Sequence, residues 1–70
     1  MYVRILRNAA HVHLFSIRSS TPSGWEVREE RDGRIVKSHQ YGDWHRVERA
    51  ELSFSLEATR LRDGGWVESI

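Results

Sequence analysis

The stretch DWHRVERAELSFSLEATRLRDGGW, residues Asp43 to Trp66, decides the architecture of this 70-residue chain. Val47, Ala50, Phe54, Ala58 and Leu61 recur at spacings of three and four, which keeps them on one stripe of a helix. Asp43 can accept hydrogen bonds from the orphan N–H groups of the first turn. Gly64 and Gly65 supply the stop, and Trp66 can fold back onto the last turn. The spacing predicts a helix from about Trp44 to Arg62. Its single apolar stripe needs a sheet to lie on.

The residues upstream read as strands. Val3 and Ile5 alternate with Arg4 across Tyr2 to Arg7, and Asn8-Ala9-Ala10 suits a turn. From His11 to Arg18, His13, Phe15 and Ile17 share one face, while Val12 and Leu14 share the other. Ser19 to Gly24 reads as a loop around Pro22. Trp25 to Glu29 and Arg34 to Gln40 flank Arg31-Asp32-Gly33, where Asp-Gly suits the positive φ of a tight hairpin. The expected fold is α+β: a single domain over residues 1–70, with a small antiparallel sheet of about four strands packed against one long C-terminal helix. The predicted core is Val3, Ile5, Phe15, Ile17, Trp25, Val27 and Val36 from the strands. Val47, Ala50, Phe54, Ala58, Leu61 and Trp66 join it from the helix region.

Composition narrows the function classes. There is no cysteine, so neither a disulfide nor a thiolate metal site supports this small core. Three Trp, two Tyr and two Phe must supply much of the buried area. Eleven basic and ten acidic residues leave a net charge of +1, too balanced for a global field that draws polyanions. Ten of the eleven basic residues are Arg, a residue suited to bidentate phosphate or carboxylate recognition. Met1 to Leu6 lacks the apolar run of a secretory signal. No segment approaches the about 20 apolar residues of a membrane span. The expectation is a cytoplasmic protein without membrane contact.

Catalytic and metal chemistry find little purchase. His11 and His13 place two imidazoles on one strand face, yet no carboxylate or thiolate spacing completes a ligand set with His39 or His45. Ser16, Ser19, Ser20 and Ser23 lack a nucleophile elbow. Glu29 and Glu30 are adjacent and point to opposite strand faces, a poor geometry for shared acid–base work. The glycines form no phosphate-cradling loop. The chain is expected to be no enzyme, with no catalytic residues, no metal and no cofactor.

Two binding surfaces remain. Stepping about 100° per residue puts Arg46, Arg49, Ser53 and Arg60 on a stripe beside the buried face of the helix. The hairpin adds Arg28, Arg31, Arg34 and Lys37 around its tip, with Trp25, Tyr41 or Trp44 nearby to stack a base. Glu26, Glu29, Glu30, Asp32 and Glu57 share these regions and weaken the field. Leu52 and Leu56, four apart, lie opposite the Val47–Phe54–Leu61 stripe and suggest a contact, either with the same helix of a second copy or, within the chain, with an N-terminal strand or the loop from Ser19 to Gly24.

The hairpin and helix together resemble the WGR module of poly(ADP-ribose) polymerases and bacterial proteins. The resemblance rests on Ala50, Phe54 and Gly65-Trp66, with the hairpin Trp25 to Val36 ahead of them, and spans about two thirds of the chain. Of the family's Trp-Gly-Arg, only Gly33-Arg34 stands here, with no tryptophan before it. The family contacts DNA ends through that motif, so the resemblance implies a role for Arg34 alone.

The sequence therefore carries two expectations. The first is a small non-catalytic protein-interaction module, self-associating or bound to another protein through Leu52 and Leu56. The alternative is an accessory nucleic-acid-binding domain using Arg31, Arg34, Arg46, Arg49 and Arg60.

Overall fold

A computed structural model describes residues 2–20 and 24–69. The expected loop from Ser19 to Gly24 lies partly outside them, with Pro22 and Ser23. The order of elements is β1 (Tyr2–Asn8), β2 (His11–Ser19), β3 (Trp25–Arg31), β4 (Arg34–Tyr41), α1 (Trp44–Asp63) and β5 (Val67–Ser69). The strands form one sheet in the order β4-β3-β2-β1-β5, with every neighbouring pair antiparallel. The fold is the expected α+β arrangement, with a fifth strand added. That strand follows directly from the helix stop and pairs Val67, Glu68 and Ser69 with Arg7, Leu6 and Ile5.

Local chemistry sets the boundaries. Asp43 has extended φ and ψ of −118° and 119°, and its Oδ1 accepts from the His45 N–H at 3.0 Å. At the other end, Gly64 N–H reaches the Arg60 and Leu61 carbonyls at 3.0 Å, and Trp66 N–H reaches Leu61 O at 2.9 Å. Arg60 and Arg62 lie in the last turn, where cations complement the helix dipole. In the β3–β4 hairpin, Asp32 and Gly33 take φ of 51° and 81°, the left-handed pair that a two-residue turn requires. Gly24 is held at φ 120°, and a Cβ there would lie 2.6 Å from the Tyr41 carbonyl oxygen. Only glycine fits that approach of β3 to the end of β4.

Helix α1 covers one face of the sheet. The core between them is Leu6, Phe15, Ile17 and Val27 from the strands with Val47, Phe54 and Ala58 from α1. The Phe15 and Phe54 rings meet at 4.8 Å between centroids, and Tyr2 lies 6.2 Å from Phe54. Tyr2 Oη and Ser55 Oγ are 3.1 Å apart, tying β1 to the helix. Trp25, Ala50, Leu61 and Trp66 pack against this core as expected.

Three predicted core residues lie elsewhere. Val3 is 56% exposed and Ile5 is half-buried, both on the face away from α1. Leu6 takes the covered place, because β1 pairs Tyr2 with Ile17 and Leu6 with His13. That phase seats the larger side chains inside. Val36 is 48% exposed. A bulge between Glu29 and Glu30 gives β4 an extra residue there, since Glu29 faces Lys37 while Glu30 faces Ile35.

Candidate nucleic-acid interface

The groove between α1 and β4 carries the strongest concentration of one charge. Cross-strand partners share a face, so pairing with Arg31, Glu29, Val27 and Trp25 turns Arg34, Lys37, His39 and Tyr41 toward the helix side. All four lie on an edge strand whose outer side has no neighbour. On the helix, Arg46, Arg49, Ser53 and Arg60 follow the flank next to Ala50, and Ala50, Ser53 and Phe54 line a groove with Lys37, His39 and Tyr41. That groove holds about 200 Å³, with Val27 and Phe54 at its floor. Arg46 to Arg60 spans about 21 Å of helix at about 1.5 Å per residue.

The sequence-predicted arginines thus divide between the two walls of one groove. Arg46, Arg49 and Arg60 stand on the helix wall, and Arg31 and Arg34 stand at the hairpin tip beyond the strand wall. All five are exposed. Arg31 Nη2 lies 3.6 Å from Glu29 and Arg60 Nη1 lies 3.3 Å from Glu57. Among the described residues, no ion pair engages Arg34, Lys37, Arg46 or Arg49. Their positive charge is open to a ligand. The His39 and Tyr41 rings stack along the strand at 5.8 Å and 17°, presenting a π surface beside the cations.

The opposite flank of α1 has the reverse character. Glu48, Glu51 and Glu68 lie there, and the cations near them are engaged. Arg4 gives Glu68 a two-pronged bond at 2.8 and 2.6 Å, and Arg62 lies 3.7 Å from the same carboxylate. The Arg4 bonds hold the Glu68 carboxyl below its usual range, and Glu68 in turn raises the guanidinium of Arg4. This cluster fastens β5 to β1 and to the end of the helix. Unpaired cations thus gather on the β4 side of α1, where Glu57 pairs with Arg60, while Glu48, Glu51 and Glu68 lie on the side toward β1 and β5 with Arg4 and Arg62.

The histidines of β2 are placed differently. His13 is buried, and its Nε2 lies 2.7 Å from Oε2 of buried Glu29. The imidazole also stacks on Phe15 at 4.5 Å and meets the edge of Trp66 at 6.2 Å. His11 Nδ1 lies 3.1 Å from Asp32 Oδ2, and the Val12 N–H donates to Oδ1 of the same carboxylate at 2.9 Å. The Val12 bond leads, with His11 behind it, in holding the Asp32 carboxyl below its usual range. These pairs lock the β3–β4 turn to the start of β2. Among the described residues, no group of three or more His, Cys, Asp or Glu is placed to hold a metal ion. Glu29 and Glu30 occupy opposite faces, as their adjacency requires.

Leu52 and Leu56 are 61% and 59% exposed on the outer ridge of α1, so no element among the described residues buries them and the expected internal contact is not made. No helix among the described residues is long and apolar enough to cross a membrane. The helical arginines expected from the sequence lie on one flank of α1, but of the hairpin cations Arg28 lies on the opposite sheet face, bonded to Glu26 at 2.8 Å, because it alternates with Val27 and Glu29 along β3. Sequence reasoning missed the His13–Glu29 pair and the alignment of His39 and Tyr41 with the stripe, because both depend on which strand lies beside which. No protein-family model, no curated protein and no solved structure matches the chain.

Proposed function

We propose that this chain is a non-catalytic binding module for single-stranded nucleic acid, held in the groove between α1 and β4. The observation that carries the reading is a set of unpaired cations: Lys37 lines the groove, Arg34, Arg46 and Arg49 lie on the elements that flank it, and none of the four has an anionic partner among the described residues. The cations track a phosphate backbone, and the His39–Tyr41 surface stacks a base. A groove with one helix and one strand as walls is narrow, which favours a single strand over a duplex. The resemblance to the WGR module adds Arg34 to the same surface.

Fluorescence anisotropy with short single-stranded DNA and RNA, titrated across salt, tests the reading. Each neutralised phosphate contributes about −0.7 to the log–log salt slope for a single strand. The triple variant Arg46→Ala, Arg49→Ala, Arg60→Ala should therefore flatten the slope by about 2 and weaken binding at low salt. Neutralising Glu48 and Glu51 on the other flank should leave the slope unchanged. Absence of binding at low salt would overturn the proposal, because phosphate contacts are strongest there.

A second reading has its own observation. Leu52 and Leu56 form an exposed apolar pair on the outer ridge of α1, which suits contact with another protein. Leu52→Glu with Leu56→Glu should leave the fold and nucleic-acid binding intact while removing that contact.

A further inference from the structure

Trp25 and Trp44 do not line the groove beside β4; they line a separate pocket at the start of the helix. Register puts Tyr2, Ile17 and Trp25 on the helix side of the sheet, since Tyr2 and Val27 both pair with Ile17, and Trp25 is two residues from Val27. Trp44, Val47 and Glu51 of α1 lie over them, at spacings of three and four that keep them on one flank. The pocket between holds about 80 Å³. The indoles of Trp25 and Trp44 lie 5.1 Å apart between centroids and 60° apart in plane, so they form a corner. Buried Ile17 and Val47 line its inner side, and the Tyr2 ring adds a third aromatic surface. Trp44 is 49% exposed, which leaves its ring open to a ligand from solvent. Glu51 stands at this corner, and among the described residues no ion pair engages it. Arg18 also borders the pocket, but it pairs across the strands with Glu26 and shares that carboxylate's face, away from α1. The first turn of α1, whose dipole opposes a cation, is capped by the Asp43 carboxylate.

We propose that this pocket binds a methylated ammonium head, held against the Trp25–Trp44 corner with Glu51 as its counter-charge. Three properties of the pocket select that class. The first is field: the face of an indole attracts a cation, and an unpaired carboxylate beside it adds to the attraction. An anion would meet Glu51, with Glu48 one turn away on the same flank. The second is hydrogen bonding. A primary ammonium carries three donors and a strong hydration shell. Aromatic rings and a single carboxylate do not replace those bonds. A methylated head has few donors or none, gives up little hydration, and lays its methyl groups on the rings. The third is size. A volume of about 80 Å³ is well below the about 300–1,000 Å³ that holds a drug-sized ligand, so the head enters and any tail stays in solvent. The pocket shares no lining residue with the groove beside β4, and the inference does not rest on nucleic-acid binding.

Heteronuclear NMR of the whole chain, titrated with tetramethylammonium chloride at constant ionic strength, is the test. The indole N–H resonances of Trp25 and Trp44 should shift together and saturate. Sodium chloride and neopentyl alcohol, a neutral group of similar shape, should give no such saturation. Trp44→Leu keeps an apolar wall and removes the π face, so it should weaken binding about tenfold with an unchanged circular dichroism spectrum. Glu51→Gln, at an exposed position, should weaken it about threefold. The triple variant Arg46→Ala, Arg49→Ala, Arg60→Ala should bind as wild type does. Choline and trimethyllysine carry the same head on a small alcohol and on an amino-acid side chain, and the tighter of the two names the source. No saturable shift with tetramethylammonium overturns the proposal, as does failure of both choline and trimethyllysine. So does neopentyl alcohol binding as tightly as the cation, or full affinity in both Trp44→Leu and Glu51→Gln. A chain that binds the cation and no oligonucleotide leaves this inference standing and removes the other; the reverse result removes this one alone.

Discussion

The two faces of the sheet are built from the same strands, and they have different tasks. On the covered face, Leu6, His13, Phe15, Ile17, Val27 and Glu29 are buried beneath α1, and each polar member has a partner. On the bare face, Val3, Ile5, Val12 and Leu14 lie on β1 and β2 and Glu26, Arg28 and Glu30 on β3, with no covering element among the described residues. One face carries the stability of the fold, and the other is free to carry contacts. Adjacent residues on a single strand can therefore differ by several kcal/mol in what their removal costs, and that contrast can be measured.

The largest contrast is on β2. Phe15 is fully buried against Phe54 and His13. Phe15→Ala should cost about 3–5 kcal/mol, the range for a large core aromatic. In a domain whose total stability is about 5–15 kcal/mol, that leaves it near unfolding in urea titrations. Leu14, one residue earlier and half-buried on the bare face, should cost about 1 kcal/mol on truncation to Ala, the centre of the range for point mutants. Equal losses at the two positions would mean that the bare face is as tightly packed as the core.

The next contrast is on β3. Glu29→Leu removes the acceptor of buried His13 and should cost about 1–3 kcal/mol, because an unsatisfied polar group then stays in the core. Glu30→Gln, on the bare face, should fall within about 0.5 kcal/mol of wild type. Thermal unfolding of the two variants at neutral pH reads the difference. If His13→Phe in the Glu29→Leu background restored stability, the cost would lie in the orphaned imidazole and not in lost packing.

Much of this arrangement was legible in the sequence. The helix bounds, the Asp43 cap, the Gly64-Gly65 stop and the Asp32-Gly33 turn all follow from local chemistry, which needs no knowledge of tertiary contacts. The two faces of β2 follow from strict alternation. The phase of β1 did not, because Tyr2 and Leu6 compete with Val3 and Ile5 as apolar sets, and only pairing with β2 chooses between them. Strand β5 is three residues long and too short to show a period. On the site, the helical stripe Arg46, Arg49 and Arg60 was readable by rotation alone. That β4 lies beside this flank, and β5 beside the other, depends on strand order. The gathering of unpaired cations beside β4 is therefore a property of the fold, invisible in a composition that sums to +1.

The smallest contrast is in acid. Glu68 sits on the covered side, at the junction of β1, β5 and α1, and Glu26 sits on the bare face. Both carboxyls are held below their usual range: Glu68 first by its bonds from Arg4, and Glu26 first by its bond from Arg28. A carboxyl whose folded pKa is depressed adds stability above its unfolded value and loses it as pH falls through the folded value. Both groups should therefore stabilise the fold at neutral pH and weaken it in the acid range below the ordinary carboxylate pKa. They differ in what they hold. Glu68 clips a three-residue strand to the rest of the sheet, so Glu68→Gln should cost about 0.5–1 kcal/mol, the upper part of the range for a partly exposed pair. Amide exchange should rise first at Val67 to Ser69. Glu26→Gln weakens a bond within one strand between residues two apart, and its other bond, donated by Ser38 Oγ of β4 at 3.3 Å, is one that an amide oxygen also accepts, so the exchange pattern of the sheet should stay unchanged. With Gln at position 68, the remaining acid dependence should shrink, because one carboxyl no longer changes its proton affinity on folding. If the wild-type and Glu68→Gln stability curves ran parallel through the acid range, the Arg4–Glu68–Arg62 cluster would not be what anchors β5.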